Sequence, residues 1–410
     1  MAEASESELK SIESGFLFLG IGSLLPWNAI ISNLDFLIYY QKEFHPEITF
    51  PNMNFILNLG IQFLLLSTKK IFKYKTQIYT SLLIFLINLI LLPITTIYIK
   101  GILGFRINCI IMLLNGVSNA LISSSIFGLV SFFPIKCLIS LSMGQGLAGI
   151  LMNVLRYIIL IFFGDNEKNI NFSSYIFFTV SAFIMLITIF KFHSIYKKKY
   201  FQNKLKLAGE DINQDFENES IDEPLKIPDK ENKKEEFSIL YVVFKIIGIN
   251  LMIIYCFVIT FTLFPGASIK PNLFNLSMGW KINTIIFIFN LFDTIGRKLL
   301  SYINPTKCIL YFCSFLRTIL LFTFPLVCYC ENHKILDNNI ISILLIINVI
   351  LLSISNGFLS SLCFALGPEQ VEGEMKGKTV SSVSLCLSFG IFLGTFVAMI
   401  MQNILLFKNF

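Results

Sequence analysis

Asp293 and Arg297 stand four residues apart inside an otherwise almost wholly apolar run from Ile285 to Leu300. Four residues on an α-helix bring two side chains to one face, roughly 6 Å apart along it. If that run crosses a bilayer, each charge near its centre costs on the order of 3 kcal/mol on insertion scales. The pair could pin helices together, although desolvation can cancel most of the Coulombic gain of a buried ion pair. It could also present a carboxylate acceptor and guanidinium donors to a ligand rich in hydroxyls. A sugar diol suits both groups, because its hydroxyls can donate to the one and accept from the other. A third use of an intramembrane acid is as the titrating group of a proton relay.

Other polar and small residues recur inside apolar runs. A helical wheel puts Asn283, Asn290, Asp293, Arg297 and Ser301 along one stripe, which must face protein or water. Ser118, Asn119, Ser123, Ser124 and Ser125 form a second group; Gly144, Gln145, Gly146 and Gly149 a third; Ser355, Asn356, Gly357, Ser360 and Ser361 a fourth. Glycine and serine at such spacing let membrane helices approach closely, which is their plainest use. Gly20, Gly22, Ser23, Pro26, Trp27 and Asn28 lie together near the N-terminus. Pro26 removes a backbone donor and predicts a kink. Membrane tryptophans prefer the interface, so Trp27, about a dozen residues into its run, is either a space-filling ring between helices or a flat wall on which a planar ligand stacks.

The elements that must position these residues are membrane helices. Hydrophobic residues make up 55% of the 410 and charged residues 14%, against about 25% charged in soluble domains. Windows of about 20 residues give eleven apolar spans: 15–38, 51–68, 77–99, 105–133, 138–163, 172–192, 238–264, 282–303, 307–329, 339–366 and 380–407. Lysines cluster on one side of them, at Lys69, Lys70, Lys73, Lys75, Lys191, Lys197, Lys198, Lys199, Lys204 and Lys206. By the positive-inside rule the N-terminus is cytoplasmic and the C-terminus outside. The formal net charge of +6 thus reports topology and gives no reason to expect nucleic acid as a partner. Residues 1–14 are acidic and lack a cleavage site, so the first span is expected to stay in the protein. The sequons at Asn171 and Asn275 fall in loops expected outside.

The expected organisation is a cytoplasmic N-terminus over 1–14, a bundle of six helices over 15–192, a mobile cytoplasmic loop over 193–237, and a bundle of five over 238–410. Residues Glu210 to Glu236 carry eleven of the 26 acidic residues, with Pro224 and Pro228, which suits a linker. Two bundles joined by a long loop are the layout of transporters built from rocking halves. No residue-level repeat relates them. The nine cysteines lack CxxC spacing and the three histidines are far apart, so no metal or cofactor is expected; Cys328 and Cys330 are close enough to pair. The spans show no second acid, histidine cluster or nucleophile with a base, so no enzyme can be assembled.

Five strings in order, Gly22-Ser23-Leu24-Leu25-Pro26-Trp27-Asn28, Phe127-Gly128-Leu129, Gly144-Gln145-Gly146-Leu147-Ala148-Gly149, Phe289-Asn290-Leu291-Phe292-Asp293 with Gly296-Arg297, and Ser355-Asn356-Gly357-Phe358 running to Gly367-Pro368, resemble those of the equilibrative nucleoside transporters. The resemblance implies an all-α membrane protein of eleven helices, six plus five, similar to the major facilitator fold. It implies facilitative carriage of nucleosides or nucleobases by alternating access, with a small-molecule substrate, the lipid bilayer and no obligatory protein partner. By position it implies that Leu24 and Trp27 cover the base, that Asn290, Asp293 and Arg297 bind the ribose or set the polar side of the cavity, and that Phe264 and Ile391 supply apolar walls. Pro26, Asn28, Gly144, Gln145, Gly146, Gly149, Asn356 and Gly357 are assigned to packing or gating.

One position departs from the family pattern. Where members with purine preference carry a glutamine on the fourth helix, this chain has Ser123, too short for a two-point contact with a purine edge; selectivity is then looser or read by another group such as Asn119. The abundance of Ile, Asn, Lys and Phe suits an AT-rich genome, as in several parasitic protists that import purines, so purine salvage at the plasma membrane is the expected role. The alternative is a proton-coupled transporter of nucleosides or another small polar solute, with Asp293 titrating.

Overall fold

The computed structural model describes residues 5–67, 73–130, 132–164, 168–207, 239–304, 306–371 and 375–404, and every regular element among them is helical. In chain order the helices are α1 (Glu6–Ser32), α2 (Leu34–Gln41), α3 (Pro46–Ser67), α4 (Tyr74–Tyr98), α5 (Gly101–Val130), α6 (Ile135–Phe163), α7 (Ile170–Tyr196) and α8 (Lys199–Leu207). They continue as α9 (Ile239–Lys245), α10 (Ile247–Leu263), α11 (Met278–Leu299), α12 (Lys307–Leu316), α13 (Leu320–Asn332), α14 (Asn338–Glu369) and α15 (Met375–Ile404). Among the described residues, nine helical stretches are long and apolar enough to cross a membrane. The two expected spans not among them are α10, apolar but 17 residues long, and α11, whose apolar run is interrupted by Lys281, Asp293, Arg297 and Lys298. The outward surface is what lipid demands: Phe162, Phe322 and Phe190 are 77%, 72% and 70% exposed.

Local chemistry explains several boundaries. α1 starts where the Ser5 hydroxyl accepts from the Glu8 amide, with Glu6 and Glu8 at the positive end of the helix dipole. It is continuous through Pro26. The expected span at 307–329 is two helices joined by a 3₁₀ turn at Arg317–Ile319. Asn171 lies in the first turn of α7, not in a loop, and accepts from the Tyr40 hydroxyl at 2.5 Å. The loop expected from 193 begins late: α7 runs on to Tyr196, and α8 folds back to bury Phe201 and Leu205 in the core beside Phe16, Phe133 and Phe192. The rest of that loop, 208–237, lies outside the described residues. Cys328 and Cys330 are both free thiols, so the pairing considered from their spacing is absent.

The two halves repeat a packing plan that their sequences do not. α1 packs on α6 as α10 packs on α15, and α3 packs on α5 as α11 packs on α14. Between the halves, α6 meets α11 and α3 meets α15. At each of the four paired crossings a glycine lies against a backbone carbonyl. A Cβ on Gly20 would sit 2.1 Å from the Leu141 oxygen, on Gly116 2.1 Å from that of Asn54, on Gly357 1.9 Å from that of Asp293, and on Gly394 2.8 Å from that of Val258. Any side chain there would force the helices apart. The repeat is therefore carried by backbone proximity, which different sequences can satisfy.

Candidate functional site

Asp293 is buried on α11 and both its carboxylate oxygens are occupied. Arg297 Nε donates to Oδ2 at 2.8 Å, the geometry expected of residues four apart on one helix. Asn356 Nδ2 on α14 donates to Oδ1 at 2.7 Å. The approach of α14 depends on Gly357 and Gly296, whose added Cβ atoms would lie 1.9 Å from the Asp293 carbonyl oxygen and 2.2 Å from that of Ile354. Asn356 and Gly357, assigned to packing, thus touch the carboxylate and the backbone of Asp293.

The polar stripe of α11 is divided between two neighbours. Asp293 faces α14, while Asn290 and Asn283 face α6 in the other half. Asn290 Nδ2 donates to Asn153 Oδ1 at 2.8 Å and to Asn28 Oδ1 at 3.3 Å. Asn153 Nδ2 donates to Asn283 Oδ1 at 2.8 Å and to Ser32 Oγ at 3.1 Å, and the Tyr157 hydroxyl donates to Thr284 Oγ1 at 2.9 Å. Gly149 and Gly146 make room for this seam, since their added Cβ atoms would lie 2.3 Å from Asn290 Cγ and 2.5 Å from Thr294 Oγ1. Gly144 instead packs on α1, where its Cβ would be 2.1 Å from the Leu17 oxygen, and Gln145 Nε2 reaches Ser23 Oγ at 3.5 Å. The side chain of Ser301, at the far end of the stripe, lies outside the described residues.

Trp27 is half-buried and meets Phe55 of α3 edge-on at 5.2 Å; Phe55 meets Phe261 of α10 at 5.6 Å. This aromatic line joins the halves close to Asn28. Leu24 packs against the main hydrophobic core, which draws on both halves, and Pro26 is buried one residue before Trp27. Phe264 is stacked on Phe289 at 3.9 Å and 12°, so one of its ring faces is covered. Ile391 is buried with Ile253, Phe257 and Phe358. Ser123 is half-buried, and its hydroxyl has no hydrogen-bond partner among the described residues, whereas Ser125 donates to Gln77 Oε1 at 2.7 Å. Asn119, considered as a reader of a base, donates to Asn54 Oδ1 at 3.1 Å and so serves the α3–α5 contact. The crevice lined by Ile48, Thr262, Lys270, Phe324 and Met401 shares no residue with these groups.

Two charged features escaped the sequence reading. Asp35, 5% exposed, is ion-paired with Arg156, 2% exposed, across α2 and α6. A second intramembrane acid therefore exists, contrary to expectation, although an ion pair of this kind supplies neither a nucleophile nor a base. Arg317, 2% exposed, is buried in the 3₁₀ turn between α12 and α13. The available signal was a lone charge within each apolar span; the partners lie too far away in sequence for spacing to reveal them.

A family model described as "Nucleoside transporter" matches residues 109–403. The chain belongs to the nucleoside transporter family. This transporter is 27% identical to equilibrative nucleotide transporter 4 of Arabidopsis thaliana over 68% of its own length and 69% of that relative. It is 22% identical to equilibrative nucleoside transporter 3 of Rattus norvegicus over 95% and 88%. Its fold resembles that of a crystallised mutant of the nucleoside transporter NupG, with TM-score 0.56, 13% identity, and 96% and 93% of the two chains covered. It also resembles XylE, a proton:xylose symporter of the major facilitator superfamily, with TM-score 0.61, 12% identity, and 98% and 90% covered. The transporter is a multi-pass integral membrane protein, helical in every regular element among the described residues and similar in fold to the major facilitator structures, whose substrate is a small molecule; its family is one of transporters, not enzymes.

Proposed function

We propose that this chain is a facilitative carrier of nucleosides, and of nucleobases, working by alternating access at the seam between its halves. The observation that carries the proposal is the Asp293 carboxylate, buried in a membrane helix and held from both sides by Arg297 and Asn356. It lies one helical turn from the asparagine seam to α6. Asp293 and Arg297 bind the ribose diol, with Asn290 released from Asn153 to join them when the halves part. Trp27 and Leu24 cover the base, Ile391 and Phe264 form apolar walls, and Ser123 lines the base side. Gly146, Gly149 and Asn28 belong to the moving contact; Gly144, Gln145, Pro26 and Gly357 hold helices within each half.

In this reading the chain crosses the membrane eleven times, α10 and α11 included, with bundles over 15–192 and 238–410 and a cytoplasmic loop between them. The N-terminus is cytoplasmic, the C-terminus outside, and the site of action the plasma membrane, where purine uptake is served. It needs no cofactor or obligatory protein partner. The test is uptake of labelled adenosine, uridine, hypoxanthine and glucose by cells lacking their own carriers. Nucleosides should enter faster than in empty cells and glucose should not; equal entry of all four with the protein at the surface would end the proposal. Asp293→Ala should abolish riboside uptake with surface level near normal.

A further inference from the structure

Arg317 is a fully buried guanidinium for which the proposed binding site has no use. No carboxylate lies within ion-pair distance of it among the described residues, and its Nε has no hydrogen-bond partner. Its Nη1 donates to Cys256 Sγ at 3.1 Å and its Nη2 to Thr260 Oγ1, both on α10. A buried, unpaired cation is expensive, so its neighbourhood should contain compensation. That compensation lies three hydrogen bonds away, at Asp293.

The bonds between them run in one direction. Arginine can only donate, so Thr260 Oγ1 accepts from Arg317. The threonine proton then has two acceptors, Asn356 Oδ1 at 2.7 Å and the Cys256 carbonyl at 2.9 Å. With Asn356 Oδ1 taking it, the amide nitrogen of Asn356 points to Asp293 Oδ1 at 2.7 Å. The line Arg317–Thr260–Asn356–Asp293 therefore starts at an obligate donor and ends at an ionised acceptor, the arrangement in which each bond polarises the next. It crosses α10, α14 and α11, all in the C-terminal half, and a carboxylate anchored in this way travels with that half as a unit.

We infer that Arg317 is a positioning residue for Asp293. Acting through Thr260 and Asn356, it fixes the amide that holds Oδ1 and so sets where the carboxylate meets a substrate diol. This inference rests on the proposed ribose-binding role of Asp293.

The test measures diol recognition separately from carriage. Uptake of labelled adenosine is competed with unlabelled adenosine and with 2′,3′-dideoxyadenosine, and the ratio of their inhibition constants is compared among variants matched for surface level. The wild-type protein should prefer the diol by about tenfold, the worth of about 1.4 kcal/mol. Thr260→Val, nearly isosteric, and Arg317→Leu should bring the ratio to within twofold of unity, while Thr260→Ser, which keeps the hydroxyl, should retain it. If Thr260→Val and Arg317→Leu lower only maximal uptake and keep the wild-type ratio, Arg317 is structural and the inference is overturned. Should Arg317→Leu fail to reach the surface, Thr260→Val decides alone. If Asp293→Asn itself keeps the ratio, the ribose-binding reading of Asp293 fails instead.

Discussion

Gly357 is the position where one methyl group should do the most damage to the site. A Cβ there would stand 1.9 Å from the Asp293 carbonyl oxygen and 3.0 Å from the Arg297 nitrogen. Both neighbours are backbone, so no side chain can swing away. Restoring an ordinary contact of about 3.4 Å requires α14 and α11 to separate by roughly 1.5 Å. A shift of that size would stretch the Asn356–Asp293 bond, now 2.7 Å, to about 4 Å, beyond hydrogen bonding. Overpacking of a tight contact costs typically 1–3 kcal/mol, so Gly357→Ala should fold at reduced yield yet bind ribosides at least tenfold more weakly. The control is Gly60→Ala on the exposed face of α3, where a Cβ meets nothing within 4 Å and alanine favours the helix by about 0.5–1 kcal/mol. Uptake kinetics normalised to surface level provide the assay. Wild-type KM for adenosine in Gly357→Ala, or equal loss in Gly60→Ala, would refute the reasoning.

Other perturbations test the charges and the seam. Arg156→Leu breaks the buried Arg156–Asp35 ion pair, a loss of about 3–5 kcal/mol; the purified yield should collapse and recover in large part in the double variant Asp35→Leu/Arg156→Leu. Asn153→Leu removes three side-chain hydrogen bonds, of which the two to Asn283 and Asn290 cross between the halves and are together worth on the order of 2 kcal/mol. The seam should therefore open roughly 30-fold more often, read as faster thiol labelling of a cysteine introduced at Thr284; an unchanged rate would mean the seam does not gate. Ser123→Gln should widen the preference for adenosine over uridine by about tenfold, the worth of one or two net hydrogen bonds, and an unaltered ratio would remove Ser123 from the base side.

The sequence revealed most where chemistry is local. The Asp293–Arg297 pair was legible because its geometry follows from helical spacing alone, and the apolar runs predicted the membrane helices because lipid must cover them. The division of the α11 stripe was not legible, since a helical wheel cannot say that α14 takes Asp293 while α6 takes Asn290. Arg156 and Arg317 were visible only as isolated charges in apolar spans. Their partners, 121 and 57 residues away in sequence for Asp35 and Thr260, are brought near by tertiary packing. The twofold repeat of the halves was hidden for a related reason. It is written in helix crossings at Gly20, Gly116, Gly357 and Gly394, and such crossings constrain residue size at a few points while leaving the rest of the sequence free.

The central claim is carriage of nucleosides down their gradient by the Asp293-anchored site. Purified protein in liposomes, loaded with no ion gradient and given labelled adenosine outside, tests it most directly. The account predicts entry that stops when inside and outside concentrations are equal, the same end point when a proton gradient is imposed, and no entry with Asp293→Ala. Entry no faster than in protein-free liposomes, or accumulation above the outside concentration under the proton gradient, would contradict it.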